Sequence, residues 1–252
     1  MDRFDTSFNA IFDPNSQNLK NMEFYVQTGN HDYRGNITAE ILYTNLQNRW
    51  KLPDLWYSIP NLDNFSNFTV AFITVDTDVM KGSYSTDQDK NDVANKQKNQ
   101  YDWLRSELTK YENFDYIIVA GHHPIFSISS HGTQSFLLET FYPMLQEFDV
   151  NLYLNGHDHN LQSLTSTYVS TRTGLNTTMY HTVAGQGGKY DCSTKHNSDL
   201  PSYASSHFFW CGNGNEGGYS QVEVNQDRMT LKQINARNDM VLYTVEMGKR
   251  RN

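Results

Sequence analysis

The stretch Tyr116-Ile117-Ile118-Val119-Ala120-Gly121-His122-His123-Pro124 decides how the rest of the chain is read. Its first five residues carry no charge, and four of them are β-branched or aromatic. Such a run is too short for a stable helix and reads as a strand buried on both faces. Gly121 closes it, and two imidazoles follow at once. Two more stretches repeat the pattern: Glu23–Thr28 leads into Gly29-Asn30-His31-Asp32, and Val150–Leu154 leads into Gly156-His157-Asp158-His159. A glycine at a strand end lets the backbone turn sharply or approach a ligand closely. Open α/β sheets bind ligands just beyond the carboxyl ends of their strands.

Further strands are predicted at Thr69–Asp76 and Met179–Ala184. Between them lie two stripes with helical spacing, Tyr101, Leu104, Leu108 and Tyr111, then Leu137, Phe141, Met144, Leu145 and Phe148. Strands alternating with helices make an α/β class, in part α+β, because the pattern changes after Gly217-Gly218. From there Tyr219–Val224, Met229–Ile234 and Val241–Val245 are spaced as an antiparallel meander. The polar stretch from Lys81 to Gln100 reads as a surface loop running into a helix. No repeat or long linker divides the sequence, and residues 1–252 read as one domain.

Composition excludes several classes. With 252 residues, 37% hydrophobic, 19% charged and 16 Tyr, 14 Phe and 4 Trp, the chain is no disordered tail. A net charge of −8 argues against nucleic acid as a partner, which calls for a concentrated positive surface. The one basic cluster, Lys249-Arg250-Arg251, reads as a solvated tail. No apolar run approaches the ~20 residues of a membrane span, so no membrane partner is expected. The two cysteines, Cys192 and Cys211, form one bridge or stay free, and their Gly/Ser-rich surroundings lean toward a bridge. Sequons at Asn36, Asn64, Asn67 and Asn176 are no more than chance supplies, and the polar start shows no secretory leader.

A lone histidine is more often a surface or core residue than a ligand. Three strand-end clusters on one sheet edge reverse that preference. They would bring Asn30, His122, His157 and His159 together around metal. Neutral imidazole suits Zn, Fe and Mn, and an amide oxygen is a harder donor that favours Fe, Mn or Zn over Cu. The clusters hold no cysteine, which favours an open catalytic site over a closed structural one. His31 would lie beside the metal without binding it. Asp32 either orients His31 or caps a turn, and the residues leave both readings open.

The three motifs resemble the later motifs of the calcineurin-like metallophosphoesterases, and more closely the small, tartrate-resistant type of purple acid phosphatase. Asn36-Ile37-Thr38-Ala39, Ser127-Ile128 with His131-Gly132, Asn160-Leu161-Gln162 and Gly217-Gly218-Tyr219 extend the likeness from about Arg3 to about Val245. The resemblance implies a sandwich of two mixed sheets flanked by helices, and a dinuclear centre of Fe(III) with Fe, Zn or Mn. It implies that Asn30, His122 and His157 hold the divalent ion, that His159 is the histidine on the ferric ion, and that His31 and His131 hold the phosphate and protonate the leaving group. His123 replaces a common aromatic residue and reads as a neighbour, not a ligand. The implied reaction is attack of metal-bound hydroxide on a phosphate monoester, small or carried on a phosphoprotein. A phosphodiesterase or nucleotide-processing enzyme, and a non-catalytic remnant, are the alternatives. The family implies a secreted or lysosomal glycoprotein, and a monomer is expected.

The family's first two motifs, Asp-x-Gly and Gly-Asp-x-x-Tyr, would precede the segment resembled by Phe4-Asp5-Thr6-Ser7-Phe8, and this sequence carries neither. The expectation is therefore an N-terminally truncated fragment lacking the first β-α-β segment. It would have one protein ligand at the ferric position and no bridging carboxylate. It would show no purple colour, little turnover and poor solubility.

Overall fold

Residues 116–120 are buried at every position. Ile117 and Val119 enter one apolar cluster with Leu104, Leu108, Phe141 and Leu145, while Tyr116 and Ile118 enter another with Leu152, Met229, Leu231 and Met247. The period of two along a pleated strand separates the two cores. The computed structural model describes residues 2–13, 15–59, 67–82, 90–212, 214 and 216–250. In chain order its elements are α1 (Asp2–Thr6), α2 (Phe8–Ile11), β1 (Phe24–Tyr25), α3 (Ile37–Tyr43), β2 (Trp50–Lys51), β3 (Tyr57–Ser58), β4 (Val70–Thr74), α4 (Thr77–Lys81), α5 (Lys90–Lys110), β5 (Tyr116–Ala120), α6 (Tyr142–Glu147), β6 (Leu152–Asn155), β7 (Leu161–Val169), β8 (Asn176–Ala184), β9 (Ala204–Trp210), β10 (Gly218–Val224), β11 (Met229–Asn235) and β12 (Met240–Met247).

Seven strands form one mixed sheet in the order β3-β4-β5-β6-β8-β7-β9. Strands β4, β5, β6 and β8 run parallel, so their carboxyl ends share one rim. Strands β3, β7 and β9 are antiparallel to their neighbours. Residues of α5 and α6 cover one face of the sheet, and the antiparallel meander β10-β11-β12 covers the other. The mixed α/β sandwich implied by the sequence is present. Its second layer is antiparallel, and a two-stranded parallel sheet, β1 with β2, stands apart from both.

Several elements differ from the sequence reading. Only Phe24–Tyr25 of the expected Glu23–Thr28 strand is paired, because its partner β2 is two residues long. Strands β7 and β9 were not expected: Leu161–Val169 is rich in Ser and Thr, yet its first four residues are buried and it lies between β8 and β9. The second stripe starts as a π-turn over Leu137–Phe141 before α6, where Pro143 lacks the N–H that an α-turn would use. The expected helix is α5, but it starts inside the polar stretch at Lys90, so residues 90–100 are helix and not loop; residues 83–89 lie outside the described residues, as does Asn64.

The basic cluster is not a solvated tail. Arg250 is 7% exposed, and its guanidinium donates to the carbonyls of Glu112, Phe114, Phe148 and Asp149. Arg251 lies outside the described residues. Cys192 and Cys211 are joined in a disulfide, with Cα atoms 5.3 Å apart. Among the described residues no helix is long and apolar enough to cross a membrane.

Candidate metal centre

The rim is built by short local devices. Contrary to the sequence reading, the Asn30 loop does not leave the same sheet as the other two clusters. It follows β1 of the separate two-stranded sheet and packs against the rim, where a Cβ on Gly29 would stand 2.7 Å from the Nδ1 of His122. After β6 the chain makes two successive three-residue turns, with Asp158 N bonded to Gly156 O and Asn160 N to Asp158 O. His157 sits at the centre of the first with φ +65°, a left-handed conformation that a non-glycine residue adopts at a cost. Gly185, past the end of β8, is required for packing: a Cβ there would lie 2.0 Å from Asp158 O.

Three predicted ligand atoms meet on this rim. Asn30 Oδ1 is 2.9 Å from His122 Nε2, and His157 Nδ1 is 3.0 Å from the same nitrogen. These atoms come from positions up to 127 residues apart. His159, half-buried, accepts Asp191 N on its backbone carbonyl, and its charge would oppose protonation of His122 and His157. Its ring does not belong to the tight group. Among the described residues, the His, Cys, Asp and Glu side chains whose ligand atoms all lie within 4.8 Å of one another are His122, His123 and His157.

Burial keeps these rings neutral. Desolvation, reinforced by neighbouring imidazoles, lowers His122 to about 4, His157 to about 3 and His123 to about 2. Neutral imidazoles with free lone pairs are what a borderline cation needs. The edge of a tetrahedron with metal–ligand distances of ~2.0–2.1 Å is roughly 3.4 Å, so spacings of 2.9 and 3.0 Å fit one ion with little movement. Asn155, 7% exposed at the end of β6 and two residues before His157, has neither side-chain polar atom hydrogen-bonded.

The two predicted phosphate-holding histidines are placed differently. His131 Nδ1 is 2.5 Å from Asp158 Oδ1, and its ring centroid lies 4.1 Å from that of His157, with the planes tilted by 46°. Asp158 is fully buried and also accepts from Ser127 Oγ at 2.5 Å. His31 is exposed at the N-cap of a short 3-10 turn, near enough for its charge to act on His122. Asp32 does not orient it: its Oδ2 accepts from Gly29 N at 2.7 Å, so the turn-capping reading is the one realised.

A fourth strand end contributes what the sequence reading missed. After β4, Asp76 caps α4 with Oδ1, while its Oδ2 accepts from Thr28 Oγ1 and Tyr33 Oη, tying the Asn30 loop to the sheet. Thr77 Oγ1 is 2.8 Å from His123 Nδ1. Asp78 Oδ2 is buried without a hydrogen bond, and burial followed by the charge of Asp76 pushes its carboxyl up to about 7. The signal was present: Asp76-Thr77-Asp78 follows a strand just as the three histidine clusters do.

The mixed α/β sandwich thus carries an imidazole-rich donor cluster at its parallel-strand rim. The chain belongs to the calcineurin-like phosphoesterase family, whose model matches residues 2–161. It is 32% identical over 248 residues to tartrate-resistant acid phosphatase type 5 of Mus musculus, covering 93% of this chain and 69% of that protein. Two solved structures share the fold. The Plasmodium protein described as GAP50, the anchor in the inner membrane complex, has a TM-score of 0.75 at 22% identity, over 97% of this chain and 72% of that one. Purple acid phosphatase PPD1 of yellow lupin has a TM-score of 0.57 at 14% identity, over 90% and 39%.

Proposed function

We propose that the protein hydrolyses phosphate monoesters, with Asn30, His122 and His157 holding a divalent ion, His159 serving a second, ferric ion, and His31 and His131 binding the phosphate. The observation that carries this reading is the meeting of Asn30 Oδ1, His122 Nε2 and His157 Nδ1 within hydrogen-bond distances. When bound, the ions (Fe(III) with Fe, Zn or Mn in the family) supply Lewis acidity and an activated solvent molecule. The chain's own residues supply the rest. His31 presents an exposed imidazole at the mouth of the site. His131 is held by Asp158 with Nδ1 engaged, which leaves Nε2 to donate a proton to the departing alkoxide.

The test is turnover of 4-nitrophenyl phosphate and of its bis-ester by metal-loaded protein, at the low rate expected of a chain without the two acidic motifs. The monoester should be the faster substrate. His157→Ala should lose both metal and turnover, and His131→Ala should slow turnover by about 10²-fold or more while metal content stays near normal. Full metal content and turnover in His157→Ala would overturn the ligand assignment, and a faster bis-ester would support a phosphodiesterase. A non-catalytic metal- or phosphate-binding role is favoured by one observation: no carboxylate belongs to the tight donor group among the described residues. Metal uptake without turnover would establish it. A secreted or lysosomal setting is supported by the disulfide and by the exposure of Asn67 and Asn176. The substrate we propose is a small ester or a phosphoprotein, acted on by a monomer.

A further inference from the structure

Resting on the reading of this rim as a metal centre, we infer that His123 is a third imidazole ligand, so that His122, His123 and His157 hold one divalent ion with Asn30 as the oxygen donor. The ligand atoms of the three rings lie within 4.8 Å of one another, and the His123 ring stands 4.3 Å from that of His157 and 5.0 Å from that of His122. His123 is 1% exposed, so its orientation is fixed by packing. Its Nδ1 is 2.8 Å from Thr77 Oγ1, with Asp78 Oδ2 behind at 3.9 Å. A ligating histidine commonly gives its other ring N–H to such a partner, which fixes the tautomer and leaves Nε2 as the ligand.

The opposing reading is a core histidine satisfied by Thr77. That reading explains Nδ1 but not why a third buried imidazole joins two others without an acid among them, since lone pairs gathered in a small space need a cation or protons between them. Three nitrogens and one amide oxygen make a set suited to Zn(II) or Co(II) in tetrahedral geometry.

The experiment uses the full 252-residue chain stripped of metal, then titrated with Co(II) and separately loaded with Zn(II). The result expected is one tightly bound ion, the visible bands of tetrahedral Co(II), and X-ray absorption at the zinc edge fitting three imidazoles. His123→Phe should weaken Co(II) binding by at least about tenfold and alter the bands. His123→Gln, which keeps a polar contact for Thr77, serves where the Phe variant does not fold, and the imidazole count in the unmodified chain needs no variant. Two imidazoles at the zinc edge, or His123 variants that bind Co(II) with unaltered affinity and bands, would overturn the inference. If His157→Ala loses the ion at the same time, the metal centre stands and His123 alone is a bystander. If His157→Ala also binds normally, or nothing binds at all, both readings fall.

Discussion

Asp158 has no exposed surface, and each of its oxygens has a defined partner: Ser127 Oγ donates to one, while His131 approaches the other through both Nδ1 and its backbone N–H. A buried carboxylate is tolerated only when it is fully hydrogen-bonded, and here its charge also fixes the tautomer of His131. Asp158→Asn keeps the shape but removes the charge, and an amide can offer an N–H where an acceptor is needed. We expect kcat to fall by about 10–100-fold with metal content unchanged. The loss should be larger for alkyl phosphates, whose poor leaving groups need the proton, than for 4-nitrophenyl phosphate. Equal losses on both esters would show that Asp158 does not act through a proton donor. The sequence showed the histidines because they stand beside one another at strand ends. It did not show this pairing, because His131 lies 27 positions from Asp158 and nothing local marks the partner. Nor did it show what holds His123, which reads from the sequence as a mere neighbour, since the polar residue that orients it, Thr77, is 46 positions away.

At the scale of elements, Arg250 joins parts that the strand pattern alone would not connect. Its guanidinium donates to carbonyls just past α5, at Glu112 and Phe114, and just past α6, at Phe148 and Asp149. The last turns of helices leave carbonyls without intrahelical partners, and one planar cation with five N–H groups serves two such ends. Arg250→Met should lower unfolding stability by roughly 3 kcal/mol, because several carbonyls would be left buried and unpaired. Lys249→Ala removes only a partly exposed pair with Asp115 and should cost below ~1 kcal/mol. Urea midpoints of the two variants check the contrast, and equal shifts would refute it. The central strands β4, β5, β6 and β8 were legible as apolar runs, as was the meander. Strand β7 was not, because Gln162, Ser163 and Ser166 are buried by hydrogen bonds and neighbouring strands, not by apolar side chains.

For the whole molecule, the number of buried neutral histidines sets how stability responds to acid. His122, His123 and His157 at the rim are lowered to about 4 or below, and His181, packed against Phe126 and hydrogen-bonded to Ser166, is lowered to about 3 by burial alone. An unfolded histidine takes up its proton near 6.5. Between about pH 6.5 and 4 the unfolded chain therefore binds protons that the folded chain refuses. The stability contributed by these rings is full above that window and is lost as pH falls through it. Asp78 acts in the opposite sense: raised to about 7, it keeps its proton in the folded state, and the stability this adds is lost as pH rises from about 4 to 7. Asp76, which burial also raises, acts in the same sense as Asp78, and four histidines against two carboxyls still leave a net loss on acidification for the metal-free protein. Unfolding free energy measured in urea at pH 7, 6 and 5 should fall at each step. His181→Gln, remote from the rim, should flatten the slope by up to one proton, about 1.4 kcal/mol per pH unit. Asp78→Asn should steepen it. A metal-free protein equally stable at pH 7 and pH 5 would show that these imidazoles are not held neutral, and the donor set proposed for the rim would lose its physical basis.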